Sequence, residues 1–497
     1  MIDFINFDLK KQNLIALIVV ILILFLFLPY FSRFINGNTY LIGSESHYHT
    51  MLADELMNQK ISNPGFNIFG VLPDVQDSVY LSRSMSFSFY HIFLAILGSI
   101  IPISDAALFL PMIFGFLSLF IFNKILILFD IEEFNRKIIL LFLILSPAFI
   151  YTFSFSNPHS AIVFLTLLGF YCFIKDNKYW FATSVLIFAF VSSFTIFNAL
   201  VILLLLISYV FYTGRKLNSM LVVSLFVGLV TFTAQTPFFL NYSFTHSSDF
   251  FIEIVSDMGG LIGFGFFSLL LAIMGVTFHW KNKNSFIMFF ISALLILFSS
   301  FIVGNSINIY LMFFIAISAG FAFTTLYERT WKLKLVKNIS IFILILGLLF
   351  SSVSYINRVT DWEPSLDSIY AFEFLKNNAS KEDVILSHFE NGYFIESIGG
   401  GTAFVDSYAD SNYNQKFLIK VADTIFSTRD LKTAKTLLSQ NNIKYIYIDE
   451  KMKSGLVWVK PDEGLLFLLR NKETFNLIYQ ANGIEIWEFL PSKNKIR

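Results

Sequence analysis

The chain has 497 residues, with 35 basic and 35 acidic side chains that give a formal net charge of zero. Hydrophobic residues make up 56% of it and charged ones 14%, 63 residues are Phe, and the mean hydropathy is +0.68. Such a composition excludes a water-soluble globular protein and a disordered one, and leaves a polytopic α-helical membrane protein. The charges are segregated along the chain, so the zero balance does not itself identify a partner, and no nucleic acid is expected. The one cysteine, Cys172, lies in an apolar run and excludes an intramolecular disulfide.

In chain order, Asn13 to Phe31 is the first apolar run. It is too long for a signal peptide and no small-residue cleavage site follows it, so it reads as a retained span. Further runs of spanning length follow at about 107–127, 138–154, 159–174, 179–195, 196–213, 219–239, 258–279, 285–303, 307–327 and 338–356, which makes about eleven spans. Phe87 to Ile103 is shorter and interrupted by Gly98 and Pro102. If it does not cross, the basic gaps fall on one side: Lys10/Lys11, Lys124/Arg136/Lys137, Lys175/Lys178, Arg215/Lys216, Lys281/Lys283 and Arg329 to Lys337. The opposite short gaps, at Ser156 to Ser160, around Phe194 to Phe197, Asn241 to Asp257 and Gly304 to Asn308, carry no Lys or Arg. The positive-inside rule then places the N-terminus in, the C-terminus out, and Phe87 to Ile103 as a juxtamembrane or re-entrant helix.

That topology predicts a cell-membrane, multi-pass protein with two extracytoplasmic masses. Residues 1–357 form the transmembrane domain, with a long first outer loop over 32–104, and residues 358–497 form an extracytoplasmic α/β domain. In the latter, Val384 to Ser387, Thr402 to Val405 and Ile443 to Ile448 read as strands. Tyr413 to Phe426 and Asp430 to Gln440 read as amphipathic helices. Asn482-Gly483, between Phe475 to Tyr479 and Ile484 to Glu488, is a hairpin signal. Gly399-Gly400-Gly401 precedes a strand, so it reads as a bend and not as a phosphate loop.

No proposed span has an Asp or Glu in its interior, which argues against an ion or proton pathway across the bilayer. The candidate chemistry therefore faces outward. Gly43-Ser-Glu-Ser-His-Tyr-His49 opens the first outer loop, and a helix there places Glu45 and His49 four residues apart on one face, able to share a metal ion or phosphate. His47 reads as an interfacial hydrogen-bonder, and His159 after Pro158 as a polar end group or a ligand. Asp74 and Asp77 flank a Pro-containing loop, with a turn role or a substrate role. Asp257, before Gly259-Gly260, reads either as an acid of the site or as the N-cap of the eighth span.

The order of these parts resembles the C-type membrane glycosyltransferases, with archaeal catalytic subunits of oligosaccharyltransferase as the suggested kin. "GSESHYHTMLADEL" resembles the family's first acidic motif, "SFYHIFLAILG" a helix later in that loop, and "EIVSDMGGLIGF" the fifth outer-loop acid motif with its glycines. "FENGYFIESIGGGTAFVDSY" sits where the family has its acceptor motif. The resemblance implies transfer of a sugar or oligosaccharide from a polyprenyl-linked donor to an acceptor on the outer face. It implies Glu45 and Asp257 as catalytic, Tyr48, Asp74, Glu390 and Tyr393 as substrate-binding, and Glu45, His49, His159 and Asp257 as ligands of Mg²⁺ or Mn²⁺. Membrane lipid and a polyprenyl-linked sugar are the implied partners. The chain departs from the family at Phe155 to His159, where the second acidic motif has no carboxylate, and at His388 to Gly392, which replace the tryptophan pair. Peptide N-glycosylation therefore does not follow. A membrane protein that binds lipid-linked glycan without turnover, or anchors a surface assembly, is the alternative.

Overall fold

The computed structural model describes residues 14–57, 89–175, 177–234, 250–279, 290–298, 307–407 and 416–491. These divide into two compact units, one running to Arg33 and again from residue 89 to Thr360, the other combining Phe34–Glu55 with the chain from Asp361 onward.

The first unit is helical. Its main helices, numbered along the chain together with the second unit's α2 (Ser44–Met57), are α1 (Leu14–Ile35), α3 (Phe89–Gly98), α4 (Ile103–Leu128), α5 (Glu133–Ile144), α6 (Pro147–Ser154), α7 (Pro158–Ile174), α8 (Lys178–Ser192), α9 (Ile196–Thr213), α10 (Leu217–Ala234), α11 (Phe266–His279), α12 (Asn308–Glu328) and α13 (Lys334–Thr360). Six described helices are long and apolar enough to cross a bilayer: α1, α4, α9, α10, α12 and α13. A seventh span results if α5 and α6, bent by 67° at their junction, count as one. The bend has a chemical cause, since Pro147 has no N–H to give the helix and holds Ser146 extended at ψ 127°. Helix α3 has only 10 residues, about 15 Å at helical rise, roughly half a hydrocarbon core. That length suits the expectation of a short helix over Phe87 to Ile103.

Packing inside this unit uses small residues where backbones approach. A Cβ on Gly275 of α11 would stand 2.0 Å from the Ser318 carbonyl of α12, so only glycine permits that crossing. Lys216 turns back to donate from Nζ to the carbonyls of Phe173, Ile174 and Lys175 at 2.7, 2.7 and 3.0 Å, which satisfies the exposed C-terminal end of α7. Large apolar side chains stay exposed along the helices, with Phe232 and Phe350 both 68% accessible. In water such surface would drive aggregation; against lipid it is the expected exterior.

The second unit is an α/β domain. Its helices include α14 (Leu366–Asn378), α15 (Gly392–Ser397), α16 (Lys416–Ser427) and α17 (Leu431–Gln440). Its strands are β1 (Val384–Leu386), β2 (Thr402–Ala403), β3 (Ile443–Ile448), β4 (Phe475–Ala481) and β5 (Ile484–Phe489), in the order β2-β1-β3-β5-β4. The β2, β1 and β3 strands are parallel, whereas β3, β5 and β4 are antiparallel. The period-two alternation of strands sorts the core onto two faces. Val384, Leu386, Ile446 and Ile448 pack with Leu418, Ala422 and Ile425 of α16 and with Ala434 and Leu438 of α17. Ile385, Tyr445, Tyr447 and Ile486 pack with Phe372 and Leu375 of α14 and with Phe394 and Ile395 of α15.

The expected strands and hairpin are present, and Asn482 and Gly483 have φ 45° and 80°, as a primed hairpin turn requires. Asp430 caps α17 by accepting the amides of Lys432 and Thr433. Helices α14 and α15 were not foreseen. Nor was the membership of Phe34–Glu55 in this unit, which the expected boundary at 357/358 assigned to the transmembrane domain.

Candidate functional site

Helix α2 carries Glu45, and the second unit holds the helix by contacts that precede and follow its start. Asn38 donates from Nδ2 to the Pro364 carbonyl at 2.9 Å, and the Tyr40 hydroxyl donates to Glu373 at 2.9 Å. Burial, then the hydrogen bond to Glu373 and its charge, push the Tyr40 hydroxyl pKa up, so it stays a donor across the physiological range. Gly43 gives its amide to the Glu363 carbonyl at 2.9 Å from φ +81°, a conformation that favours glycine at the turn into α2.

On α2 the side chains divide by face. Glu45 is exposed in the first turn, where the helix dipole favours a carboxylate. His47 is buried at 6% exposure: Nε2 lies 3.1 Å from the Leu41 carbonyl, Nδ1 lies 3.2 Å from the Ser397 hydroxyl, and the ring meets Phe394 edge-on at 5.2 Å. A carbonyl only accepts, so Nε2 carries the proton and Nδ1 accepts from Ser397. Tyr48 stacks on Tyr393 of α15 at 4.5 Å and 28°, and His49, half-buried, meets the Tyr48 ring edge-on at 5.1 Å. One face of Tyr48 and one of Tyr393 are thereby covered. The expected substrate-binding pair thus docks α2 on α15. Glu390 is exposed in the short turn Phe389–Asn391, and its amide is 3.5 Å from His388 Nδ1. Asp74 and Asp77 lie outside the described residues.

In the first unit, Asp257 sits in a loop shaped by many hydrogen bonds. Its Oδ2 accepts the amide of Phe266, at the start of α11, at 2.7 Å and the Ser351 hydroxyl at 2.9 Å. Arg358 clasps the same loop, donating to the carbonyls of Ser256 and Gly260, each at 2.7 Å. The Tyr355 hydroxyl donates to Leu261 O and Asn308 Nδ2 to Ile262 O. Asp257, exposed, therefore accepts the first amide of α11 from nine residues upstream and is not the residue that directly precedes the helix. His159, half-buried, occupies the first turn of α7 after Asn157 and Pro158.

Among the described residues no three His, Cys, Asp or Glu side chains come together as a metal-ligand group. Asp257 commits one carboxylate oxygen, Oδ2, to two protein donors. The contacts that sequence reading missed are those of His47 with Leu41 and Ser397 and the Arg358 clasp, which link residues without local pattern.

No protein-family model matches the chain, and no curated protein matches it in sequence. Solved structures do match it in fold. The archaeal oligosaccharyltransferase AglB from Archaeoglobus fulgidus, in complex with an inhibitory peptide and a dolichol-phosphate, aligns over 99% of this chain and 75% of its own, with a TM-score of 0.62 and 12% identity. ArnT from Cupriavidus metallidurans in the apo state aligns over 96% of this chain and 98% of its own, with a TM-score of 0.59 and 9% identity. The same enzyme bound to undecaprenyl phosphate gives a TM-score of 0.58, with 11% identity and the same two coverages. At such identities the likeness establishes architecture, and the chain has the GT-C fold of these membrane enzymes.

Proposed function

We propose that this chain is a membrane glycosyltransferase that moves a sugar or oligosaccharide from a polyprenyl-linked donor to an acceptor on the extracytoplasmic face, where the reading of basic gaps places the α/β domain. The observation that carries the reading is an exposed carboxylate, Glu45, in the first turn of a helix held on one side by His47, Tyr48 and Gly43. The fold match, with relatives caught holding dolichol-phosphate and undecaprenyl phosphate, supports the donor class. In the proposed step the acceptor nucleophile attacks the anomeric carbon, its proton passes to Glu45, and the phosphate leaves with the electrons of the broken C1–O bond. Tyr48, Glu390 and Tyr393 border the acceptor side of this proposal. A divalent cation, Mg²⁺ or Mn²⁺, stays in it only as a neutraliser of the leaving phosphate.

The test uses the full chain in nanodiscs with radiolabelled monosaccharides on dolichyl and on undecaprenyl phosphate, with and without chelator. A transferase moves label out of the lipid phase on at least one carrier. Retention of donor without turnover, insensitive to chelator, favours the non-catalytic glycan-binding reading instead.

A further inference from the structure

A cavity of about 210 Å³ lies inside the first unit between α4, α7, α9 and α12. Its walls are apolar and aromatic, with Phe122, Leu126, Phe170, Val201, Leu205 and Phe314 among them. Four hydroxyl-bearing side chains also reach it: Ser208, Tyr209, Tyr212 and Tyr310. Two of these hydroxyls are already engaged. Tyr310 donates to Asn198 Oδ1 at 2.8 Å, and Ser208 bonds the Leu204 carbonyl at 2.7 Å and the Ser292 hydroxyl. A water inside a protein needs two to four polar partners, and apolar cavities somewhat smaller than this one stay dry and take up hydrocarbon. The lining therefore suits an aliphatic ligand and not a sugar or phosphate.

The ends of the helices say from which side such a ligand enters. Phe114 stacks with Phe164 at 5.3 Å, while Phe129, Phe170 and Phe173 all contact Tyr209 at 6.1, 5.9 and 5.8 Å, so α4 and α7 run in the same direction. Tyr209 and Tyr212 are close to the C-terminal end of α9, which therefore finishes at the same face. The cavity extends to Phe129, Ile131 and Tyr212, where α4 and α9 end. At that face stand Lys124 near the end of α4 and Lys175 at the end of α7, with Lys216, whose Nζ is bonded to the last carbonyls of α7, just beyond α9. Cations at a membrane face attract lipid phosphates.

We propose that this cavity is a binding site for one hydrocarbon chain of a bulk bilayer lipid whose headgroup lies at the lysine-bearing face. The choice of bulk lipid over the polyprenyl donor rests on the proposed function, which puts donor chemistry at the opposite face. The site itself does not depend on that function. A chain seated there completes the packing of α4, α7, α9 and α12 around the cavity.

The test is photolabelling of the full chain in nanodiscs, with diazirine either near the end of a phospholipid acyl chain or in the terminal isoprene of a polyprenyl phosphate. The acyl probe is expected to mark Leu126, Val201 and Phe314, which are 2%, 1% and 7% exposed, at yields comparable to the 65% exposed Leu225. Filling the cavity with Leu205→Trp should cut the buried adducts at least fivefold and leave Leu225 unchanged. Adducts confined to exposed positions would overturn the site, and the wild-type labelling pattern is enough to decide this if Leu205→Trp fails to accumulate. Preferential marking of the same buried positions by the polyprenyl probe would overturn the assignment to bulk lipid. Glycosyl transfer can fail without touching either result.

Discussion

Replacing His47 by Phe keeps a ring against Phe394 but removes the two hydrogen bonds that reach Leu41 and Ser397. Each such bond contributes about 0.5–1.5 kcal/mol net, so the docking of α2 should weaken by about 1–3 kcal/mol. The ring contact with Phe394, of roughly 0.5–1.5 kcal/mol, is largely retained. A change of that size corresponds to opening about 5–150-fold more often. Amide hydrogen exchange on the full chain reads it directly: peptides covering residues 44–57 should exchange faster by that factor, while β3 at residues 443–448 keeps its protection. If α2 exchanges at the wild-type rate, His47 does not hold the helix. If β3 loses protection to the same degree, the substitution has damaged the domain, and the account of a local latch is wrong.

Asp257→Ala should lower stability by about 1–3 kcal/mol, the sum of a lost helix cap and a lost bond to Ser351. Asp257→Asn, which keeps an acceptor oxygen, should recover most of the melting temperature; an Ala variant that melts like wild type would remove the capping role. Asp383, just before β1, has its pKa lowered: burial works against the charge but is outweighed by the Ser380 amide and the Lys444 ammonium 3.0 Å away. Its stabilising contribution is therefore complete above the ordinary carboxylate value of about 3.9 and is lost as pH falls through the depressed folded value. Lys444, raised by Asp383, contributes fully below its own ordinary value and loses this as pH rises through the folded one. Because Lys444 is 42% exposed, the pair is worth only about 0.2–1 kcal/mol. Asp383→Asn should flatten the acid limb of unfolding midpoint against pH by that amount, and an unchanged limb would contradict the assignment.

The parts legible in the sequence are those written in local pattern. The run Ile443 to Ile448 became β3, Asn482-Gly483 became the hairpin turn, and the short run around Phe89 became a single ten-residue helix. Pro147 marked the break between α5 and α6, although the expected span 138–154 ran through it. Residues 34–55 group with the second unit through distant partners: Asn38 bonds to Pro364 and Tyr40 to Glu373, each across more than 300 residues. No periodicity within residues 34–55 records such pairings. Tyr48 and Tyr393 were named as substrate-binding through the family resemblance, and their mutual stacking depends on α15, a six-residue helix whose run Gly-Tyr-Phe-Ile-Glu-Ser carries little helical signal. Asp257 had two readings in the sequence, and neither contained its bond at 2.7 Å to the Phe266 amide nine residues on.

The central claim rests on Glu45, and the most direct measurement compares wild type with Glu45→Gln in the nanodisc transfer assay, scoring label leaving the lipid phase and donor retained by the protein. Glutamine keeps the shape and cannot take a proton. The account predicts a loss of turnover of roughly 100- to 10,000-fold with donor retention unchanged. Turnover by Glu45→Gln equal to wild type would contradict it.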